Sequence, residues 1–394
     1  MAILTPVRRP RLAITLGDPC GIGPELLLRS LGTLEGWAEV IVIGSRAGLD
    51  LLQDLPGRTV AWHWTTPPFP PPAGVEEPVL GLEVRPTGDS PSRSGRALWL
   101  DPTPGVTAND LALGQASSAS GAATVAAIRT GARLALAGAV DALVTLPMAK
   151  SAAHLAGHAI PGHTEFLQEL SGSPLTRMAF VSPKLSVVLH TVHQSLRSVV
   201  EELNAPAVAE TLGFAADRFI QLTGHRDLRV ALCALNPHAG ENGAFGHEEA
   251  LLREAIAQAE ARFLSCGPED GGPFAQVPSP FGRPRSMDAA PRFFGPLPSD
   301  SLFHRAVQGE FDLIVALYHD QGLIPVKVLE PERAVNLTLG LPFIRTSPDH
   351  GTAFDKAGRW ISNPTNFLEA AALAVRLAGR AQGQLWDAQV TPLP

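Results

Sequence analysis

Short apolar runs alternate with longer amphipathic stretches along this chain, the signature of strands and helices taking turns. Arg11 to Leu16 reads as a strand that opens into G-D-P-C-G-I-G-P-E, Gly17 to Glu25. Pro24 and Glu25 ahead of Leu26 to Leu28 predict a helix start, since proline suits a first turn and an acid suits the positive helix end. Val40 to Ile43 predicts a second strand, Ser117 to Ala139 a small-residue helix, and Asp141 to Thr145 the strand after it. Further strands are expected at Leu185 to Thr191, Leu228 to Leu235 and Phe311 to Ala316. Helices are expected over Ala205 to Leu222, His247 to Leu264 and Asn366 to Leu377. Two Pro/Gly-rich stretches break both periods, 62–104 and 266–298, and are expected to be surface excursions, the first with room for one strand pair. No repeat of fixed period is visible.

Composition narrows the picture. The 394 residues, 45% of them hydrophobic, can build two domains or one large α/β body. A net charge of -7 with no basic block argues against nucleic acid and anionic membranes as partners. Cys20, Cys233 and Cys266 form neither a disulfide framework nor a metal-binding pair, and no apolar run has the length of a membrane span, so a cytoplasmic protein is expected. Lysine is nearly absent, which draws notice to Lys150, at a predicted strand-to-helix loop, and to Lys327 in P-V-K-V.

Candidate chemistry gathers where strands end. L-Y-H-D-Q-G, Leu317 to Gly322, follows the Phe311 to Ala316 strand and holds Tyr318, the chain's one tyrosine, so His319 is expected in a loop at a strand end. His193 and His238 also follow independent apolar strands, His238 within N-P-H-A-G-E-N-G. In a parallel sheet such ends share one edge, and three neutral imidazoles there can hold a divalent ion with positions left for substrate. Zn(II) suits imidazole, with Mg, Mn and Co not separated by ligand type. A strand-end histidine capped by its own loop is the plainer alternative for each residue taken alone. Asp320 is expected as an orienting acid, a base or a turn former. Period 2 sends His190 and His193 to opposite faces, so only one of them can serve a shared site. In P-G-H-T-E-F, His163 faces a helix start where anions bind, and Thr164 is expected to cap that helix. His63, between Trp62 and Trp64, reads as structural. The first glycine loop matches neither the dinucleotide fingerprint nor a P-loop.

G-D-P-C-G-I-G-P-E, P-G-H-T-E-F, L-N-P-H-A-G-E-N-G, Y-H-D-Q-G-L and V-N-L-T-L-G-L-P-F-I-R-T-S-P-D-H-G-T-A resemble, in this order, the 4-hydroxythreonine-4-phosphate dehydrogenase (PdxA) family. The resemblance covers the chain apart from the two excursions. Asp349 to Pro364 is also similar to the cofactor segment H-G-S-A-P-D-I-A-G-K-G of isocitrate and isopropylmalate dehydrogenases. Cys20 stands where the family commonly has Ala, and M-A-K precedes Lys150 in place of more usual residues.

The resemblance implies an isocitrate/isopropylmalate dehydrogenase-like α/β fold of two α/β/α domains with a cleft between them. One domain would comprise 1–160 plus 335–394 with the cofactor-side loops; the other, 161–334, would carry the metal-ligand histidines and dimer contacts. It implies His193, His238 and His319 as ligands of a divalent metal (Zn, Mg or Co), and His163, Thr164, Lys327, Asn336 and Arg345 on the substrate. His350, Gly351, Asp355 and Asn363 would serve the cofactor, NAD or NADP, and Lys327 or Asp320 the catalytic proton transfer. The expected activity is oxidation and decarboxylation of a small phosphorylated hydroxy amino acid, 4-phosphooxy-L-threonine, in pyridoxal phosphate formation, by a homodimer with a shared active site. A sister dehydrogenase of threonate or erythronate 4-phosphate is the alternative, and a non-redox phosphate-transferring or binding protein a more distant one.

Overall fold

The computed structural model describes residues 8–88, 90–224, 227–265, 274 and 290–381. The chain divides into two compact units; among the described residues the first holds 8–172 and 343–379, the second 173–342. The expected seams, at 160/161 and 334/335, differ from these, so His163 and Thr164 belong to the first unit.

The first unit begins with β1 (Arg11–Thr15), α1 (Gly23–Trp37), β2 (Glu39–Ile43), α2 (Ala47–Asp50), β3 (Val60–Thr65), β4 (Val79–Pro86) and β5 (Gly95–Leu100). It continues through α3 (Ser118–Leu136), β6 (Ala142–Thr145), α4 (Lys150–Leu155) and α5 (His163–Ser171). The second unit follows with β7 (Arg177–Val181), β8 (Ser186–Leu189), α6 (Leu196–Glu202), α7 (Ala205–Thr223), β9 (Arg229–Cys233) and α8 (Glu248–Leu264). It closes with β10 (Arg292–Leu297), α9 (Ser299–Val307), β11 (Leu313–Ala316), α10 (His319–Leu329) and β12 (Val335–Leu339). The chain returns to the first unit as β13 (Ile344–Pro348) and α11 (Thr365–Ala381).

In the first unit β13, β6, β1, β2 and β5 pair in parallel in that order, and β4 then β3 add antiparallel at the edge. In the second, β10, β9, β11 and β8 are parallel, with β7 and β12 added antiparallel. The central parallel strands are buried throughout, as Ile41 to Ile43 and Leu313 to Ala316 illustrate, which is why they read as unbroken apolar runs. Local signals start the helices. Pro24 and Glu25 open α1; Ser117 and Ser120 form a reciprocal cap on α3; the Asn204 side chain accepts the Ala207 amide at 2.9 Å to cap α7. Among the described residues no helix is long and apolar enough to cross a membrane.

The excursion expected at 62–104 is largely sheet. β4 and β5 lie wholly within it, β3 overlaps its start, and Leu82, Val84, Ala97, Leu98 and Trp99 are buried. Proline and glycine misled here because the strands are short and Gly95 is a packing residue: a Cβ on it would lie 2.5 Å from the Gly32 backbone of α1. His63 is exposed on β3. The second excursion, 266–298, contains β10, which pairs with β9; 266–273 and 275–289, Cys266 included, lie outside the described residues.

Trp99 is fully buried and its ring meets Trp64 edge-to-face with centroids 5.3 Å apart. Trp99→Ala is expected to lower stability by about 3–5 kcal/mol, the range for deleting a buried aromatic, measured by urea unfolding. A loss within about 0.5 kcal/mol, as at ordinary surface positions, would place this segment outside the core after all.

Candidate active site

In the second unit the strands that precede the three singled-out histidines are neighbours. β9, β11 and β8 pair in parallel, so their C-terminal ends share one edge. His193 follows β8, His319 opens α10 after β11, and His238 follows β9. His319 is thus the first residue of a helix, with Tyr318 at the N-cap, and not part of a longer loop. The His193 and His319 rings stand 5.9 Å apart between centroids. The His319 Nδ1 is 2.7 Å from Asp320 Oδ1. A carboxylate on that nitrogen favours the tautomer whose Nε2 lone pair points away, the arrangement a metal-binding imidazole uses.

His190 turns to the opposite face, as alternation requires. Its Nδ1 lies 2.8 Å from the Thr211 hydroxyl on α7, and burial, aided by the nearby Arg177 charge, takes its pKa down to about 4.

His238 stands apart from the pair. Its ring packs beside Phe245 at 6.2 Å, and among the described residues no three His, Cys, Asp or Glu side chains are gathered as a metal-binding set. Its backbone is unusual: His238, Ala239, Gly240, Glu241 and Asn242 have φ of 52, 53, 77, 41 and 56°, a left-handed turn. Each non-glycine residue there costs roughly 1–2 kcal/mol, so the surroundings must impose the turn. A pair of adjacent imidazoles plus a third at the neighbouring strand end fits a divalent ion by donor type; His193, His238 and His319 would hold it.

The second unit also carries two of the expected substrate residues. Lys327 is exposed on α10, on the same outward face as Ile324 and Val328, which are 60% and 76% exposed. Asn336 lies on β12 opposite Phe180 of β7, and its Oδ1 is buried without a hydrogen-bond partner.

The first unit holds the others. Arg345 sits on β13 with 2% of its surface exposed, and its Nε and Nη2 donate to the Thr145 hydroxyl at 3.1 and 2.6 Å. Burial lowers its pKa to about 10, against the opposing charge of Glu165. The Arg345 charge in turn reaches His163, whose imidazole is held well below its usual range by burial first and by Arg345 second. The His163 Nε2 is buried without a partner. Gly162, not Thr164, is the N-cap of α5; Thr164 is the second helical residue and buried, so capping is not its task. Thr145 and Glu165 were missed in the sequence, although each sits in or beside a quoted motif; nothing local shows that β6 and β13 pair and set Thr145 beneath Arg345.

The expected cofactor residues follow β13. His350 has its Nδ1 3.1 Å from the Gly351 carbonyl, its Nε2 is buried and unpartnered, and burial lowers its pKa, with Lys356 adding to the shift and Gly351 and Asp349 opposing it. Gly351 is exposed with open space about it, and Asp355 lies in a short 3-10 turn, Phe354–Lys356. The Asn363 Oδ1 accepts from the Thr365 amide and hydroxyl at 3.0 and 2.7 Å, at the start of α11. This segment is backed by the first glycine loop: the Ile22 amide donates to the Thr352 carbonyl at 3.0 Å, and a Cβ on Gly21 would lie 2.9 Å from that oxygen. An orphaned ring nitrogen beside an open glycine suits a polar ligand such as a nucleotide. Lys150 opens α4 and is exposed.

The sequence profile of the family described as pyridoxal phosphate biosynthetic protein PdxA matches residues 89–374. A 4-hydroxythreonine-4-phosphate dehydrogenase of Geobacter metallireducens is 36% identical over 376 residues, covering 95% of this chain and 97% of its own. A D-threonate 4-phosphate dehydrogenase of Cupriavidus necator is likewise 36% identical, over 373 residues, covering 94% and 98%. The crystal structure of 4-hydroxythreonine-4-phosphate dehydrogenase from Klebsiella pneumoniae superimposes with a TM-score of 0.72 at 33% identity, covering 95% of this chain and 99% of that one.

Asp18 is a second residue that the sequence reading passed over in favour of its neighbouring glycines. It is buried at the end of β1, its carboxylate accepting from the Cys20 amide at 2.9 Å and the Ser120 hydroxyl at 3.3 Å. Burial outweighs both bonds and raises its pKa to about 6. A carboxyl whose folded pKa lies above its unfolded value stabilises the fold most below about pH 4, and that stabilisation is lost as pH rises through about 6. Asp18→Asn cannot ionise, so its stability relative to the native chain should climb by on the order of 3 kcal/mol between pH 4 and pH 7 in urea titrations. An equal difference at both pH values would mean that Asp18 ionises as in an open chain.

Proposed function

The chain belongs to the PdxA family, and on that premise we propose that it is an NAD(P)- and divalent-metal-dependent dehydrogenase of 4-phosphooxy-L-threonine. The reaction oxidises the substrate's secondary alcohol, and the resulting β-keto acid loses carbon dioxide to leave 3-amino-2-oxopropyl phosphate, a step toward pyridoxal phosphate. The observation that carries this reading is the meeting of His193 and His319 at the ends of adjacent parallel strands, 5.9 Å apart, in a chain whose relatives are named as dehydrogenases of phosphorylated hydroxy acids.

A divalent ion on His193, His238 and His319 would supply Lewis acidity at the alcohol and at the enolate left by decarboxylation, and nicotinamide would accept the hydride. The protein's own groups do the rest. Arg345, a buried cation with a two-pronged donor face, suits a phosphate or carboxylate, and the neutral His163 presents ring nitrogen to the same ligand without adding charge to its site. Thr164 and Asn336 offer hydrogen bonds; the buried Asn336 Oδ1 has its acceptor capacity open. Asp320 orients His319 through Nδ1, which leaves Lys327 as the group to take the alcohol proton.

Lys327 points away from its own fold beside exposed Ile324 and Val328, while Leu196 and Val200 form a second exposed apolar pair on α6. Unpartnered apolar surface of this kind supports a homodimer in which Lys327 serves the site of a second copy. The equal similarity to a D-threonate 4-phosphate dehydrogenase favours a second reading, in which the substrate carries a hydroxyl in place of the amine.

NADH or NADPH formation with 4-phosphooxy-L-threonine and, separately, D-threonate 4-phosphate, with and without EDTA, tests both readings. Turnover of the first that EDTA abolishes is expected; turnover of the second alone moves the assignment to the sister activity, and turnover indifferent to EDTA removes the metal. His238→Ala should abolish turnover, and retained activity would mean the third ligand is misassigned. His163→Asn and Lys327→Ala chains, each inactive alone, should recover about a quarter of native activity when co-expressed, because half the dimers then hold one intact site of two. No recovery would place Lys327 in the site of its own chain.

A further inference from the structure

The left-handed turn at His238 does not hold itself. Four of its five residues carry side chains that disfavour that backbone, and the two backbone bonds that close it, Ala244 to the Glu241 carbonyl and Phe245 to the Gly240 carbonyl, are both 3.2 Å. What grips it lies at the start of α8. Glu249 is 2% exposed, and its Oε1 accepts the Asn236 amide at 2.8 Å while its Oε2 accepts the Asn236 Nδ2 at 3.0 Å. The second hydrogen of that Nδ2 goes to Glu248 Oε2 at 2.7 Å. Both donors of the Asn236 side chain and its backbone N–H are thereby committed to two carboxylates in the first turn of one helix, where the positive helix end favours acids.

The glycines of the motif complete the fit. A Cβ on Gly240 would lie 2.6 Å from Glu249 Oε2, and one on Gly246 would lie 2.4 Å from Asn236 Nδ2, so the backbone wraps the clamp on both sides. Asn236 enters the turn and Gly240 is its centre; fixing both to the rigid end of α8 fixes the handedness of what lies between them, His238 included.

We infer that Glu249, through Asn236, is a positioning residue that imposes the left-handed turn and so sets where the His238 imidazole stands. The inference rests on the proposed metal role of His238 for its consequence, but the grip itself does not depend on any ion. Loss of one carboxylate oxygen puts an amide donor against the Asn236 donors, and the turn is then free to relax to the right-handed or extended backbone its side chains prefer.

The test uses the full chain with cobalt(II) as the probe. Glu249→Gln, which keeps the side-chain volume, should weaken cobalt binding 10–100-fold by calorimetry and change the visible cobalt spectrum. It should also raise amide hydrogen exchange of the metal-free protein across 236–247 while leaving the other strands protected. Asn236→Ser, should Glu249→Gln not fold, is expected to give the same two changes. Ala239→Gly, which relaxes a left-handed alanine without touching the clamp, should change neither. Unaltered exchange over 236–247 in a folded Glu249→Gln chain overturns the inference, whatever cobalt does. His238→Ala separates the two claims: if it leaves cobalt affinity unchanged, the metal reading fails, and exchange alone still decides whether the clamp holds the turn.

Discussion

Parallel pairing of β8, β11 and β9 is the constraint on which the second unit's chemistry depends. Parallel strands cannot be joined by tight turns, so each must be reached by a crossover, and residues far apart in the chain arrive at one edge. Close packing sharpens the result. A Cβ on Gly322 would lie 2.6 Å from the Leu189 side chain and 3.0 Å from Val187, so α10 rests directly on β8 and begins at His319 without slack. That is why the His319 ring meets His193, which follows β8, and not solvent alone.

The first unit solves a different problem, the burial of charge. Arg345 keeps its proton inside the fold with the Thr145 hydroxyl and the Glu165 carboxylate about it, while the same burial that strains it drives His163 to the neutral form. Asp18, at the end of β1, shows the opposite sign of the same effect. Neutral imidazole and permanent guanidinium together make a site that takes an anion without adding a second buried cation, which suits a phosphorylated substrate better than an uncharged one.

Strain is the counterpart of this in the second unit. A left-handed turn over His238 to Asn242 stores conformational energy in a short segment, and two carboxylates at a helix start counter it. Such a turn holds an imidazole in a direction that a relaxed loop would not keep, at the cost of making its position dependent on groups remote in sequence.

Much of the architecture was legible from local pattern alone. Strands such as Glu39–Ile43 and Leu313–Ala316 announced themselves because burial on both faces demands unbroken apolar runs, and α1, α3 and α7 announced their starts through Pro24, Ser117 and Asn204. The edge strands in 62–104 did not, because half-buried short strands need only every second residue apolar and Gly95 looked like a turn residue until Gly32 was set against it. The motifs marked His163, His193, His238, His319 and Arg345, since unusual residues at strand ends stand out in any linear reading. Their partners were not marked: Thr145 under Arg345, Asn236 and Glu249 around the His238 turn, and Gly162 as the cap expected of Thr164. Periodicity and capping are properties of neighbours in the chain, so the chain spells them out. Which strand lies beside which, and which hand a strained turn adopts, arise from packing between segments hundreds of atoms apart, and those only the folded molecule decides.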